Sequence, residues 1–536
     1  MTNLGEKYKK EELQNHIYNT PDTYVGGVDI ISEQLPVYNN EKNIIEFTEV
    51  DYIPALYNIF NEILVNAKDQ CTRLRLLQKK DKSIKCVTEI KVVINEETGE
   101  ISIQNNGDGI DVAEHPTVKK NGKPIYIPQL IFGELLTSTN YNKNEEKIVG
   151  GKNGYGAKLT NIFSKSFKIE TVDRIRKKKY TQLFRMNMKT INKPKISDYT
   201  GEPYTKITWT TDFNRFNIEN YSVDMINLMK RRVYDIAGIT ENNVSVSLNK
   251  KKLKIKSFLD YSKMYIDDNT ICYEEITDNN ITWKIGVCLS DTDKFEQVSF
   301  VNGISTPKGG KHVDMISKQL TSGLKKLIDR KCKRSINETY IKNYLRIFVD
   351  TLIVNPSFDS QTKERLITPQ SKFGSKPSVS NKLLKQIIDK TTLIDKVLLF
   401  SEFKMNKESK KTDGSKKNKI RDIPKLDDAN WAGSKKSHEC ILILTEGDSA
   451  KSMAVSGLSV VGRDIYGVFP LKGKVMNVRD TTLDQIMKNA EITNIKKILG
   501  LETGKIYKDV KSLRYGKVMI MTDQDHDGSH IKGLIM

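Results

Sequence analysis

Two sets of polar residues, one near each end of the chain, have the types and spacing of chemical sites. Near the start, Glu62, Asn66, Asp69 and Gln70 recur at i, i+4, i+7 and i+8, which places them on one helix face opposite Leu64, Ala67 and Cys71. A carboxylate one turn before an amide suits activation of water at a phosphate, with the Asn66 oxygen offered to a Mg2+ ion. A plain solvated stripe is the alternative for this face taken alone. Downstream, Asn105-NGDG is either a hairpin turn, for which Asn-Gly is a strong signal, or a ligand loop. In the second case Asn105 accepts from an adenine amino group while Gly107 and Gly109 let the backbone approach the base. Third comes Gly150-GKNGYGAKLT, in which glycine-rich backbone runs into a helical stretch, so amide hydrogens and Lys158 would face phosphate. It is not a Walker A loop, because Ala157 stands where that motif requires lysine.

The late set is acidic. Leu444-TEGDSA and Thr522-DQDHDG supply Glu446, Asp523, Asp525 and Asp527. Each group follows an apolar run that reads as a buried strand, so strands of one sheet would bring the four carboxylates together. Converging carboxylates repel, and divalent cations would have to lie between them. A calcium loop of the EF-hand type requires Glu at position 12, and counting from Asp523 that position is Leu534.

The elements that must position these residues alternate along the chain. Ala55 to Leu77 has helical periodicity, whereas Glu89-IKVVI, Ile101-SIQ, Phe167-KIETV and Thr205-KITWT alternate or are β-branched, as strands are. The pattern repeats in a second α/β stretch, with strands near Ile281-TWKIGVCL, Val298-SFVNGI and Leu345-RIFVDTLIV around a helical run from Val313 to Ile328. Phe403 to Arg421 is Lys/Ser/Asn-rich and nearly free of apolar residues, so it reads as a mobile linker. Beyond it, Cys440-ILIL, Tyr466-GVFPL and Lys517-VMIM read as buried strands of a parallel sheet. The expected division is a nucleotide domain over 1–255, a second domain over 256–402, a basic linker over 403–436 and a metal domain over 437–536.

Bulk properties agree with that division. A chain of 536 residues exceeds the roughly 250 to 300 residues of a single core, so about three domains are expected. No run approaches the roughly 18 apolar residues that cross a bilayer, and the N-terminus has no secretory apolar segment, so the expectation is an intracellular protein with no membrane partner. Six cysteines without a CxxC pair fit neither a zinc ribbon nor a disulfide framework. The formal charge of +20 favours a polyanionic partner.

Helix Glu…Asn, then NxGxG, then GxxGxG is the order of the Bergerat (GHKL) ATP site, and the wording of Pro21-DTYVGG, Glu62-ILVNA, Asn105-NGDGI, Leu135-LTSTN and Gly151-KNGYGAKL resembles eukaryotic-type, type IIA DNA topoisomerase II. Leu426-DDAN, Glu446-GDSAKSMAVSGL, Val461-GRDIYGVFPLKGKVMNV and Ile520-MTDQDHDGSHIKG resemble the same family's Toprim region. The resemblance implies an α/β multidomain fold: a Bergerat ATPase sandwich, a ribosomal-S5-like transducer and a Rossmann-like Toprim domain incomplete at its end. It implies ATP and Mg2+ as cofactors, with Glu62 as base and Lys363, from Gln361-Thr362-Lys363, as the sensor of the terminal phosphate. Asn66 would hold the nucleotide's Mg2+. Asn105, Ser138, Thr139, Asn140 and the loop Gly151, Lys152, Asn153, Gly154, Tyr155, Gly156, Ala157 and Lys158 would contact ATP, and Tyr24 would reach the partner protomer's nucleotide. Glu446, Asp523, Asp525 and Asp527 would hold Mg2+ beside Lys472 and Lys474, near the cleaved phosphodiester. Gln70 and Lys152 stand where the family usually has Asn and Arg, and both keep hydrogen-bonding capacity.

By the same resemblance the partners are double-stranded DNA, a second copy in a homodimer, and a cleavage half with a winged-helix tyrosine, expected beyond Met536. Without that tyrosine, the isolated chain is expected to show DNA-stimulated ATP hydrolysis only, and its place is the nucleus if it comes from a eukaryote. Lys325, Lys326, Arg330, Lys331, Lys333 and Arg334 gather near one end of a helical stretch. Each alone reads as a solvated lysine or arginine, and in a clamp around a duplex they would contact phosphates without reading sequence.

Overall fold

A computed structural model describes residues 11–137, 148, 154–266, 270–416, 419–479 and 481–536. The chain divides into two compact units, Met1–Ile394 and Asp395–Met536.

The first unit holds two principal sheets. In the larger, the strand order is Lys195–Asp198, Lys178–Arg185, Ser164–Asp173, Tyr204–Thr211, Glu100–Asn106, Glu89–Ile94, Ser245–Leu248 and Lys251–Lys252. All of these neighbours pair antiparallel except Ser245–Leu248 with Glu89–Ile94, which is parallel. Helix Pro54–Lys80 starts with proline, whose fixed φ and missing N–H suit a first turn. It buries Leu56, Ile59, Phe60, Ile63, Leu64, Cys71 and Leu74 and packs against strand Glu100–Asn106 and helices Gly156–Ile162 and Val223–Ile239. The apolar face opposite Glu62 and Asn66 is therefore the one turned to the core. Asn105 pairs with Ile90 and Thr205 near the end of a strand flanked on both sides, so Asn105-Asn-Gly is a strand exit and not a two-residue hairpin.

The second sheet runs Cys272–Asp278, Ile281–Leu289, Leu345–Thr351, Glu296–Val301, Ile304–Ser305. Its middle strand, Leu345–Thr351, is buried throughout and parallel to Glu296–Val301. Parallel neighbours need a crossover, and helix Lys311–Cys332 lies within it, burying Val313, Ile316, Leu320, Leu324 and Ile328.

The second unit is built on three parallel strands, with Ile441–Glu446 between Tyr466–Leu471 and Lys517–Met521. Its core includes Leu442, Leu444, Phe469, Leu471, Ile498 and Ile531. The fully buried Arg514 donates to Asp428 Oδ2 and Tyr515 donates to Asp428 Oδ1, both at 2.5 Å. The linker expectation is corrected here: helix Leu393–Lys411 covers the first part of the stretch read as irregular. Lysine and glutamate propagate a helix well, and the low apolar content concealed this. Past that helix, Asp413 pairs with Lys496 at 2.6 Å and Gly414 N–H donates to the Leu501 carbonyl at 2.9 Å, which ties the following residues to the second unit.

Candidate functional site

In the first unit, Glu62 is the meeting point of three segments. From its own helix it lies over Gly156, where an added Cβ would sit 2.3 Å from Glu62 Oε2 and 3.8 Å from Asn66 Nδ2. Glycine at 156 thus lets the start of helix Gly156–Ile162 close on the carboxylate, and Gly154, at φ +68°, makes the turn into it. From the other side Lys363 Nζ donates to Glu62 Oε1 at 3.1 Å. Both side chains are withdrawn from water, 17% and 13% exposed, so the pair is screened less than a surface ion pair. Tyr24, Asn58, Asn61, Gln361 and Thr362 line the same cleft, which has about 370 Å³ of empty space, open solvent included.

The segment carrying Lys363 is a closed loop. Its base is laced by Ile367 N–H to the Ser357 carbonyl and Asp359 N–H to the Arg365 carbonyl, at 2.9 and 3.2 Å. Leu366 exchanges backbone hydrogen bonds with Gly309 and Lys311 at 3.1 Å each. Gly310 has φ +136°, and a Cβ there would meet the Leu366 carbonyl at 2.4 Å. Lys363 sits at the tip with φ +60°.

Other expected nucleotide residues fall less simply. Asn105 is 8% exposed and donates to the Asn106 carbonyl at 2.9 Å. A Cβ on Gly109 would lie 1.8 Å from the Val172 carbonyl oxygen, and one on Gly107 would lie 2.8 Å from Leu74 Cδ1. Close packing within the protein therefore already requires glycine at both positions. Lys158 has local partners. Its ammonium is buried and donates to the carbonyls of Thr137 and Gly154 at 2.7 and 2.8 Å, and burial pulls its pKa down to about 8. Its two carbonyl bonds tie Gly154 to Thr137. Ala157 is buried, and Tyr155 meets Tyr24 edge-on with ring centroids 6.0 Å apart. Tyr24 was expected to reach toward a partner protomer. In this single chain it lines the cleft, with its hydroxyl 3.1 Å from His16 Nδ1. Ser138, Thr139, Asn140, Gly151, Lys152 and Asn153 lie outside the described residues. Sequence reading missed Asn58 and Asn61. Asn58 lies one turn before Glu62 on the same face, a spacing that was available to find it.

In the second unit, register sets the acids. Glu446 is level with Leu471, and its neighbour Thr445 is level with Met521, so Glu446 and Asp523 emerge at the same C-terminal edge. Asp523 N–H donates to Glu446 Oε2 at 3.3 Å. Asp525 caps helix His526–Ile535 by accepting from Gly528 N–H at 2.7 Å. Asp527 pairs with Lys474 at 2.9 Å, and that ammonium holds its carboxyl below the usual range. Among the described residues no three His, Cys, Asp or Glu side chains are grouped closely enough to hold a metal ion. The register thus brings the Asp523 backbone to the Glu446 carboxylate, while the Asp525 and Asp527 carboxylates turn to local partners. Lys472 is exposed, and its N–H donates to Glu491 at 2.6 Å.

Of the basic cluster, Lys326, Arg330, Lys331, Lys333 and Arg334 are exposed at the end of helix Lys311–Cys332. Lys325 is not part of that surface. Its ammonium donates to Asp329, Ser335 and the Ile336 carbonyl at 2.7, 3.1 and 2.6 Å, closing the helix end.

Comparison with known proteins agrees with this geometry. The DNA gyrase B family profile matches residues 247–417 and the Toprim domain profile matches residues 441–536. DNA topoisomerase 2 of Candida glabrata is 46% identical over 99% of the chain, and that of Pisum sativum is 47% identical over 99%. The chain spans only 38% and 36% of those proteins. The crystal structure of the ATPase region of Saccharomyces cerevisiae topoisomerase II superimposes with a TM-score of 0.67 at 38% identity, covering 75% of this chain and 100% of that one. With a complete solved ATPase region matched at that identity and a Toprim domain following it, the chain belongs to the type IIA DNA topoisomerase II family.

Proposed function

We propose that this chain is the ATP-hydrolysing and metal-binding part of an enzyme that passes one DNA duplex through a transient double-strand break in another. The observation that carries the reading is the contact of Lys363 with Glu62, because it brings a cation from the loop after the second sheet's middle strand onto the carboxylate read as the base. ATP would enter the cleft with its phosphates toward Gly154–Gly156 and its adenine toward Asn105. A terminal phosphate competes for Lys363, so the ion pair opens as the nucleotide seats. Lys363 then faces phosphate charge, and Glu62 is left as an ionised base beside water. Hydrolysis in turn releases the loop, which is how the second sheet would register the nucleotide. Asn61 and Tyr24 shape the wall, and the Asn66 oxygen would complete the Mg2+ shell.

Glu446 and Asp523 offer hard carboxylate oxygens at one sheet edge, a donor set that suits Mg2+. With Asp525 and Asp527 recruited from their local partners, they would hold the ions that polarise a phosphodiester, beside Lys472 and Lys474. The exposed cations Lys326, Arg330, Lys331, Lys333 and Arg334 supply a phosphate-binding face for duplex DNA. The working form is a homodimer, completed by a cleavage region in cis or in trans and placed in the nucleus of a eukaryotic host. Among the described residues no helix is long and apolar enough to cross a membrane.

The reading is tested with purified chain and duplex DNA. ATP hydrolysis should rise severalfold on adding DNA at low salt. Adding the tyrosine-bearing region of a relative with Mg2+ should relax supercoiled plasmid. DNA-independent hydrolysis together with no relaxation would defeat it.

A further inference from the structure

We infer that Arg232 is a positioning residue for Glu62: a buried strut that carries the position of the Asn302–Gly303 turn in the second sheet to the helix bearing the carboxylate. The inference rests on the reading of Glu62 as the base for ATP hydrolysis.

Arg232 is fully buried on helix Val223–Ile239. Nε donates to Asn61 Oδ1 at 2.7 Å, Nη2 to the Gly303 carbonyl at 2.7 Å, and Nη1 to Asp235 Oδ2 at 3.3 Å. A guanidinium is planar and rigid, so these three directions are fixed relative to one another, and a shift of one partner is passed to the others. Asp235 is itself held, accepting from Tyr261 Oη at 2.6 Å, and Arg232 stacks near Phe300 with its guanidinium carbon 5.8 Å from the ring centroid.

The turn at the far end of the strut has little freedom. Gly303 has φ +81°, and a Cβ there would meet Lys68 Cδ at 2.7 Å, so the turn is wedged between the Lys68 stem and Arg232. Asn302 locks the turn to the chain that leads into the Lys363 loop. Its Nδ2 donates to the Ile353 carbonyl at 2.9 Å, its Oδ1 accepts from Ile353 N–H at 2.7 Å, and its own N–H donates to the Thr351 carbonyl at 3.0 Å. The contacts close a ring: Glu62, its neighbour Asn61, Arg232, Gly303, Asn302, Ile353, the loop, Lys363 and Glu62 again. The second sheet therefore touches the carboxylate from the front through Lys363 and holds its helix from behind through Arg232. A movement that withdraws one contact loads the other.

The test is steady-state ATP hydrolysis by the purified chain carrying Asn61→Ala, Arg232→Gln, Arg232→Lys and Lys363→Ala, singly and in pairs. Asn61→Ala and Arg232→Gln should each lower kcat by about five- to tenfold while KM for ATP stays within about twofold. Combining them should be no worse than either alone, Arg232→Lys should recover part of the loss, and each should combine with Lys363→Ala by clearly less than the product. Arg232→Gln lowering only the melting temperature, with kcat unchanged, overturns the inference. So do effects of Asn61 and Arg232 that multiply. Where Arg232→Gln fails to fold, Asn61→Ala decides: a rise in KM as large as the fall in kcat, or effects that multiply with Lys363→Ala, overturns the strut. Glu62→Ala separates this from the underlying reading. Hydrolysis persisting in that variant overturns the assignment of the base. Hydrolysis lost in it, together with multiplicative effects at 61 and 363, overturns the strut alone.

Discussion

Lys363 and Glu62 are 301 residues apart in sequence, and the ammonium of one donates to the carboxylate of the other at 3.1 Å. The contact joins a helix of the first sheet to a loop that leaves the second, and both charges are largely withdrawn from water. Breaking one half of such a pair leaves the other charge partly desolvated. Lys363→Met should therefore lower stability by about 1 kcal/mol, with the loss reduced in the double variant with Glu62→Gln, as read by thermal melting of the four proteins.

Two glycines should respond differently because their obstacles differ. A Cβ at Gly109 meets a backbone carbonyl at 1.8 Å, in a residue with φ +75°. Neither can yield without moving strand Ser164–Asp173, so Gly109→Ala should cost about 3 kcal/mol of stability. A Cβ at Gly156 meets the Glu62 carboxylate at 2.3 Å, which can rotate away. Gly156→Ala should cost about 1 kcal/mol or less and instead lower the rate of ATP hydrolysis by tenfold or so. Melting curves and turnover of the two variants separate the cases.

Lys158 gives a pH signature on the alkaline side. Its folded pKa, about 8, lies below the unfolded lysine value of about 10.4. Between those values the unfolded chain holds the extra proton, so this group makes stability rise with pH across that window and has no effect on the slope below it. The melting temperature of wild type relative to Lys158→Met should climb from about pH 8 to about pH 10. A flat difference would show that the ammonium is not desolvated.

His312 acts on the acid side. It is fully buried at the start of helix Lys311–Cys332, with Nε2 3.3 Å from Thr306 Oγ1, and burial drives its pKa from 6.5 to about 3. The unfolded chain binds the proton first, so stability is fully present above about pH 6.5 and is lost as pH falls toward 3. His312→Gln should flatten that part of the melting profile, read between pH 4.5 and pH 7 against wild type.

At the acidic edge of the second unit, Mg2+ without nucleotide should raise the melting temperature of that unit, and Glu446→Gln or Asp523→Asn should abolish the shift. Lys474→Ala frees Asp527 from its 2.9 Å partner and should increase Mg2+ affinity severalfold by removing a competing cation. Unchanged affinity in all three variants would remove these carboxylates from the site.

The helix face of Glu62 and Asn66, the strand that carries Asn105, and the acidic loops after parallel strands were legible because each rests on local periodicity or on a short motif. The loop bearing Lys363 was placed by resemblance alone, since nothing local reports a contact across 301 residues. Arg232 was invisible for a related reason: paired arginines in a helix read as a solvated face, and only tertiary packing buries Arg231 and Arg232. The carbonyl partners of Lys158 come from turns whose geometry a sequence does not print. The basic stretch after Phe403 misled. Low apolar content excluded a core segment but did not exclude a helix.

The most direct test of the account is a single-turnover measurement of ATP hydrolysis in the purified chain, with nucleotide affinity measured separately, for wild type, Glu62→Ala and Lys363→Met. Glu62→Ala should bind ATP about as well as wild type and hydrolyse it at least about a hundredfold more slowly, and Lys363→Met should lose roughly tenfold or more in rate. Hydrolysis at the wild-type rate in Glu62→Ala would contradict it.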